Sequence, residues 1–138
     1  MTDNQMKVLV VDDEADVAIY LKTVLEAGGY KVKTAGTVDD GLAQMDKFRP
    51  DLLCLDIMMP HKTGITMYVE LRNRPEWRNL PVAIVSGVGQ NNQFDFRSYV
   101  SDKSVPNPEV FVEKPIVVDA FLETIASLLK KHYGKKAH

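Results

Sequence analysis

Residues 8–14 read VLVVDDE: four apolar side chains run straight into three carboxylates. A continuous apolar run, rather than an alternating one, is the pattern of a strand covered on both faces. The three acids cannot share that burial, so the strand ends at Val11 on a knot of negative charge that calls for a reason. Four further short apolar runs follow, at residues 32–35, 52–55, 82–85 and 110–112. Helical spacing lies between them. Residues 14–27 place Val17, Ile19, Tyr20, Val24 and Leu25 on a stripe that Gly28 and Gly29 end. Thr37, Val38, Asp39 and Asp40 read as the cap of a helix over 41–48, and Pro50 stops its continuation. A third helix is expected over 65–73, with RPEWRNLP as the loop after it, and a last one over 118–133 with Phe121, Leu122, Ile125, Leu128 and Leu129 on one stripe. Strand and helix alternating in this way predict an α/β domain: a doubly wound, five-stranded parallel sheet with helices on both faces.

Composition agrees and narrows the function. The chain has 138 residues, 45% hydrophobic and 26% charged, which suits one domain with a real core over residues 7–133 and short tails at 1–6 and 134–138. A net charge of −2 offers no bulk basic field for nucleic acid or a membrane surface. The single cysteine, Cys54, lies inside LLCL and reads as a buried small hydrophobe in a reducing compartment. MTDNQMK lacks the apolar core of a signal peptide, and no run reaches the ~20 apolar residues of a membrane span. The expected setting is cytoplasmic.

In open parallel sheets, chemistry sits outside the carboxyl ends of the strands. Reading one residue past each run gives Asp12 and Asp13, the small pair Ala35 and Gly36, then Asp56, Ser86 and Lys114. Three acids, a hydroxyl and an ammonium therefore converge on one edge. Two carboxylates ~4 Å apart repel by ~4 kcal/mol at an effective dielectric of ~20. Three of them must raise their own pKa values or hold a cation. Hard oxygen donors with few protein ligands suit Mg²⁺, which keeps waters and accepts a phosphate oxygen. A carboxylate beside Mg²⁺ and a lysine can attack phosphorus and form an acyl phosphate. On this reading the acid pair after the first strand is a metal clamp.

The ordered set VLVVDDE, DLLCLDIMMPHKTG, VAIVSG and VFVEKP resembles the receiver domain of two-component response regulators, in its single-domain, chemotaxis-regulator-like form, over most of the chain. The resemblance implies a flavodoxin-like fold with strand order 2-1-3-4-5. It implies Asp56 as phosphoacceptor, charged by a sensor histidine kinase or a phosphotransfer protein. Asp12 and Asp13 would hold Mg²⁺ together with Asp56 and the backbone carbonyl of Met58, with Asp13 ahead of Asp12 as direct ligand. Lys114 would pair with the phosphate, Ser86 would hydrogen-bond it, and Phe111 would turn inward as the switch aromatic. The Lys114–Pro115 peptide is commonly cis in the family. Met58 and Val88 fall where side chains border the path of the hydrolytic water, and neither can orient one. Such a domain is not an enzyme with a separate substrate; it is a phosphoacceptor that promotes its own phosphorylation and dephosphorylation.

Plainer roles stand beside these. Asp12 and Asp13 could cap the first helix, Ser86 could serve its own turn, Lys114 could be a solvated surface lysine and Phe111 could be core. Gly64 reads as a turn glycine, Trp77 as a loop anchor, and KKHYGKK as a solvated helix end that complements the helix dipole rather than a nucleic-acid contact. A phosphohydrolase with an aspartyl-phosphate intermediate would want its second acid two residues after the first, and the adjacent pair here departs from that. A receiver-like module that binds partners without phosphorylation is the other alternative. The stretch from Ser86 to Lys114 is longer than the family's usual spacing, and Pro106 and Pro108 forbid a helix through SDKSVPNP. A short, displaced or mobile fourth helix followed by an extended loop is expected, with an unknown protein partner docking between Gly87 and Pro108.

Overall fold

Successive residues of one strand point to opposite faces of a sheet, and that alternation sorts the whole core. In the computed structural model of the chain, which describes residues 5–57, 64–87, 100 and 102–134, the first strand β1 is Lys7–Val11. Then come α1 (Ala15–Ala27), β2 (Lys31–Ala35), α2 (Val38–Phe48), β3 (Leu52–Leu55), α3 (Gly64–Arg72), a 3-10 turn (Pro75–Trp77), β4 (Val82–Ser86), β5 (Val110–Glu113) and α4 (Val118–Tyr133). All strand pairs are parallel, and the order across the sheet is β2-β1-β3-β4-β5.

Leu9, Val11, Leu53, Leu55, Val82 and Ile84 face α2 and α3, where they meet Met45, Phe48, Met67, Tyr68 and Leu71. Val8, Val10, Leu52, Cys54, Ala83 and Val85 face α1 and α4, where they meet Leu21, Leu25, Phe121, Ile125 and Leu129. Both parities of β1, β3 and β4 are therefore buried, which is why these strands read as unbroken apolar runs. Each such side chain contributes about 1.5–3 kcal/mol of burial. β2 is an edge strand, and its exposed Lys31 and Lys33 discourage further pairing there. Burial also pushes the Cys54 thiol up to about 12, so it packs as a hydrophobe and is chemically inert.

Local signals account for the boundaries. The Thr37 hydroxyl accepts the Asp40 amide at 3.0 Å and starts α2. Gly29 takes φ +100°, a turn conformation closed to most side chains, directly after α1. The RPEWRNLP loop is more ordered than its composition suggests: it winds into the 3-10 turn, and Trp77 is buried against α3. Buried Arg72 holds it, donating from one guanidinium nitrogen to the carbonyls of Trp77 and Arg78 at 3.1 and 3.0 Å. Residues 102–109 contain no helix or strand, as the two prolines require. The expected fourth helix falls on residues 88–99, outside the described residues, as do Met58 and Val88. Among the described residues no helix is long and apolar enough to cross a membrane.

Candidate functional site

The sheet register carries the two central acids side by side. Val11 pairs with Leu55, and one step further Asp12 and Asp56 leave adjacent strands together. The ladder extends through that step, since the Asp56 amide donates to Val11 O at 2.9 Å and the Asp12 amide to Ala35 O at 3.0 Å. Both carboxylates are buried, Asp12 at 2% and Asp56 at 5% exposure, while Asp13 is exposed. The three residues each offer an oxygen within 4.8 Å of the others.

Lys114 reaches this group from the far edge of the sheet, past the end of β4. Its Nζ lies 2.8 Å from Asp12 Oδ2, 3.4 Å from Glu14 Oε1 and 3.6 Å from Asp56 Oδ2. Burial of the ammonium pulls its pKa down, but the hydrogen bond to Asp12 and the charges of Asp56, Asp12 and Glu14 outweigh this and hold it above the usual lysine value. Asp12 also accepts the Glu14 amide at 2.9 Å, so one carboxylate both opens α1 and anchors the lysine. Asp12 thus shapes the turn into α1 without capping it, since the N-cap position is Glu14 and no side chain caps the helix there. Counting Glu14, the cluster gathers four carboxylates and one ammonium, a formal excess of three negative charges. That excess, with Asp13 open to solvent and every donor a hard oxygen, fits a small divalent cation.

A raised folded pKa means that the lysine's contribution to stability is intact below its unfolded value of 10.5 and is lost as pH climbs through the folded value. Lys114→Met should therefore flatten the alkaline fall in the urea midpoint. At neutral pH it should cost up to the ~3–5 kcal/mol typical of stripping one partner from a buried pair. An alkaline limb as steep as the wild type's would show that the ion pair is not its source.

The other expected site residues are distributed as follows. Ser86 is the last residue of β4, with its side chain outside the described part of the structure. Phe111 is on β5 and is 42% exposed, so it is not core. The Lys114–Pro115 peptide is cis. Gly64 opens α3 with its amide on Ile57 O at 2.9 Å, hard against the strand end that carries Asp56. Glu14 was not singled out by spacing, because it continues the acid run into the helix and only the path of the lysine side chain selects it. An apolar cleft of about 410 Å³ borders the site, lined in part by Val17, Tyr20, Val85, Pro115 and Ile116.

Comparison with known proteins shows the family and the fold. The family model described as the response regulator receiver domain matches residues 8–126. The chain is 30% identical over 133 residues to the KDP operon transcriptional regulatory protein KdpE of Escherichia coli (strain K12), a match covering 94% of this chain and 54% of that one. It is 30% identical over 127 residues to protein Rrf1 of Nitratidesulfovibrio vulgaris, covering 87% of this chain and 85% of that one. Among solved structures, response regulator TrrA of Thermotoga maritima in complex with Mg²⁺ and BeF superposes with a TM-score of 0.74 at 26% identity, covering 90% of this chain and 99% of that one. The chain spans about half the length of KdpE.

Proposed function

The chain belongs to the response regulator receiver domain family, and from that premise we propose that it is a phosphoacceptor switch with Asp56 as the acceptor. The observation that carries this reading is the meeting of buried Asp56, buried Asp12, open Asp13 and Lys114 Nζ at one sheet edge. The phosphodonor is the phosphohistidine of a sensor histidine kinase or a phosphotransfer protein. An Asp56 oxygen attacks phosphorus, the P–N bond breaks, and its electron pair returns to the imidazole nitrogen. The product is an acyl phosphate. Asp12, Asp13, Asp56 and the Met58 carbonyl would hold a Mg²⁺ ion, which would supply neutralising charge for the phosphoryl oxygens beside three carboxylates. Lys114 supplies a second positive charge 3.6 Å from the attacking group, and Asp12 keeps it protonated and aimed.

The switch is a shift between two packings, and its size is limited by what the phosphate contacts differently in each. Exposed Phe111 marks the resting packing. In the other, the Ser86 hydroxyl meets the phosphate and Phe111 moves inward. Output is contact with a partner protein through the face between Gly87 and Pro108. No direct nucleic-acid contact and no membrane contact are assigned to these residues.

Neither Met58 nor Val88 carries a side chain that could hydrogen-bond a hydrolytic water, so the acyl phosphate is expected to be long-lived. A positioned polar group can be worth ~10²–10⁴-fold in acid–base catalysis, and orienting a water is worth less. Met58→Asn should therefore speed decay by about tenfold once the donor is removed. Equal or slower decay would place the control elsewhere.

A beryllofluoride titration tests the whole reading. Saturable binding is expected that requires Mg²⁺ and disappears in Asp56→Asn. Absence of binding to the wild type, or retention in Asp56→Asn, contradicts it.

A further inference from the structure

Residues 102–109 form a strap across the sheet edge at the entry to β5, and it is fastened on both faces. An Asx turn starts it, with the Ser104 amide and hydroxyl on Asp102 Oδ1 at 2.9 and 2.7 Å. Val105, at 1% exposure, then enters the core shared with α3. Next, the hydroxyl of fully buried Tyr68 donates to Pro106 O at 2.8 Å. The Arg72 guanidinium stacks over the same tyrosine ring at 4.8 Å. Three residues on, Glu109 meets α4: its oxygens lie 2.5 Å from His132 Nε2 and 3.3 Å from Lys131 Nζ. Burial alone would raise the Glu109 pKa, but His132 and Lys131 together hold it below the usual carboxylate value, so the tie is a charged one.

β5 begins at the next residue, Val110, and carries Phe111 toward Lys114. α3 is in turn locked to the acceptor, because its first residue, Gly64, abuts the backbone of Asp56 and Ile57. Any movement of β5 toward a phosphorylated Asp56 must therefore stretch the strap against α3, α4 or both. We propose that the Tyr68–Pro106 and Glu109–Lys131/His132 ties are a brake that holds β5 in its resting position and lowers the response of the site to phosphorylation. The brake rests on the phosphoacceptor reading and adds to it a regulatory element in this chain's own extended lead-in.

One neutral hydrogen bond shifts an equilibrium by roughly two- to tenfold. Tyr68→Phe keeps the ring in the core and removes the hydroxyl that makes the tie; Glu109→Ala removes the second tie at the surface. Each, as the full chain with saturating Mg²⁺, is titrated with beryllofluoride, and hydrogen exchange is followed over residues 105–112 without it. The expected result is a two- to tenfold lower Kd in each variant, with faster exchange confined to that stretch. Unchanged or weaker binding in either folded variant overturns the brake while leaving the phosphoacceptor reading in place. A wild type that binds no beryllofluoride overturns the phosphoacceptor reading itself, and the brake falls with it.

Discussion

Asp13→Ala should abolish phosphorylation of Asp56 and, in the same protein, raise the melting temperature measured without divalent cation. The two effects have one cause. Asp13 adds a third carboxylate oxygen within 4.8 Å of those of Asp12 and Asp56, and Lys114 leaves the group with excess negative charge. In the metal-free protein, removing one solvent-exposed acid relieves repulsion on the order of 1 kcal/mol, or a few degrees for a domain of this size. With a phosphodonor present, the same change removes the open ligand that the proposed site offers a cation. Losing a term worth several kcal/mol to phosphoryl transfer slows the reaction by roughly 100-fold or more. Thermal unfolding with and without Mg²⁺, alongside the rate of phosphate incorporation, reads both. A variant that is destabilised without metal, or phosphorylated at the wild-type rate, would show that Asp13 is not part of the clamp.

Gly64→Ala is expected to be the most damaging small substitution in the described fold. A Cβ on Gly64 would sit 2.0 Å from Asp56 O and 2.7 Å from Ile57 Cα. Both are backbone atoms at the end of a buried strand, so neither can swing aside as a side chain would. Either α3 lifts away from β3 or the Asp56 backbone shifts. Overpacking against backbone costs about 2–4 kcal/mol, at the upper end of the usual range, and lowers the melting temperature by about 10 °C. Gly36→Ala is the matched control, since a Cβ there meets nothing within 4 Å and the change should be neutral or slightly stabilising. Similar losses at both positions would mean that the close approach at Gly64 is not what requires glycine.

Much of this is legible in the sequence, for identifiable reasons. Strands buried on both faces announce themselves as unbroken runs, so Val8 to Val11 and Leu52 to Leu55 lie within the observed β1 and β3. The stripe on α4 repeats over four turns with no competing signal, and its bounds coincide with the expected 118–133. Asp12, Asp13, Asp56 and Lys114 could be brought to one edge because topology alone decides which strand ends are neighbours.

What stayed hidden depends on side-chain reach. Lys114 selects Glu14 by a path across β4 that no spacing encodes. The loop after α3 looked irregular because its order comes from the buried guanidinium of Arg72, a residue ordinarily assigned to the surface. Tyr68 falls inside the expected third helix with nothing to single it out, and its bond to Pro106 spans 38 residues of sequence. Phe111 could be placed on β5 but not on the solvent side of it, because a short edge strand of alternating exposure gives no parity signal strong enough to choose.

Incubation with a small phosphodonor and Mg²⁺, followed by intact mass, puts the central claim most directly at risk. Wild-type protein should gain one phosphoryl group, the gain should vanish when Mg²⁺ is chelated, and Asp56→Asn should gain none. A wild type whose mass does not change, or an Asp56→Asn variant that still takes up phosphate, would contradict the assignment of Asp56 as the acceptor.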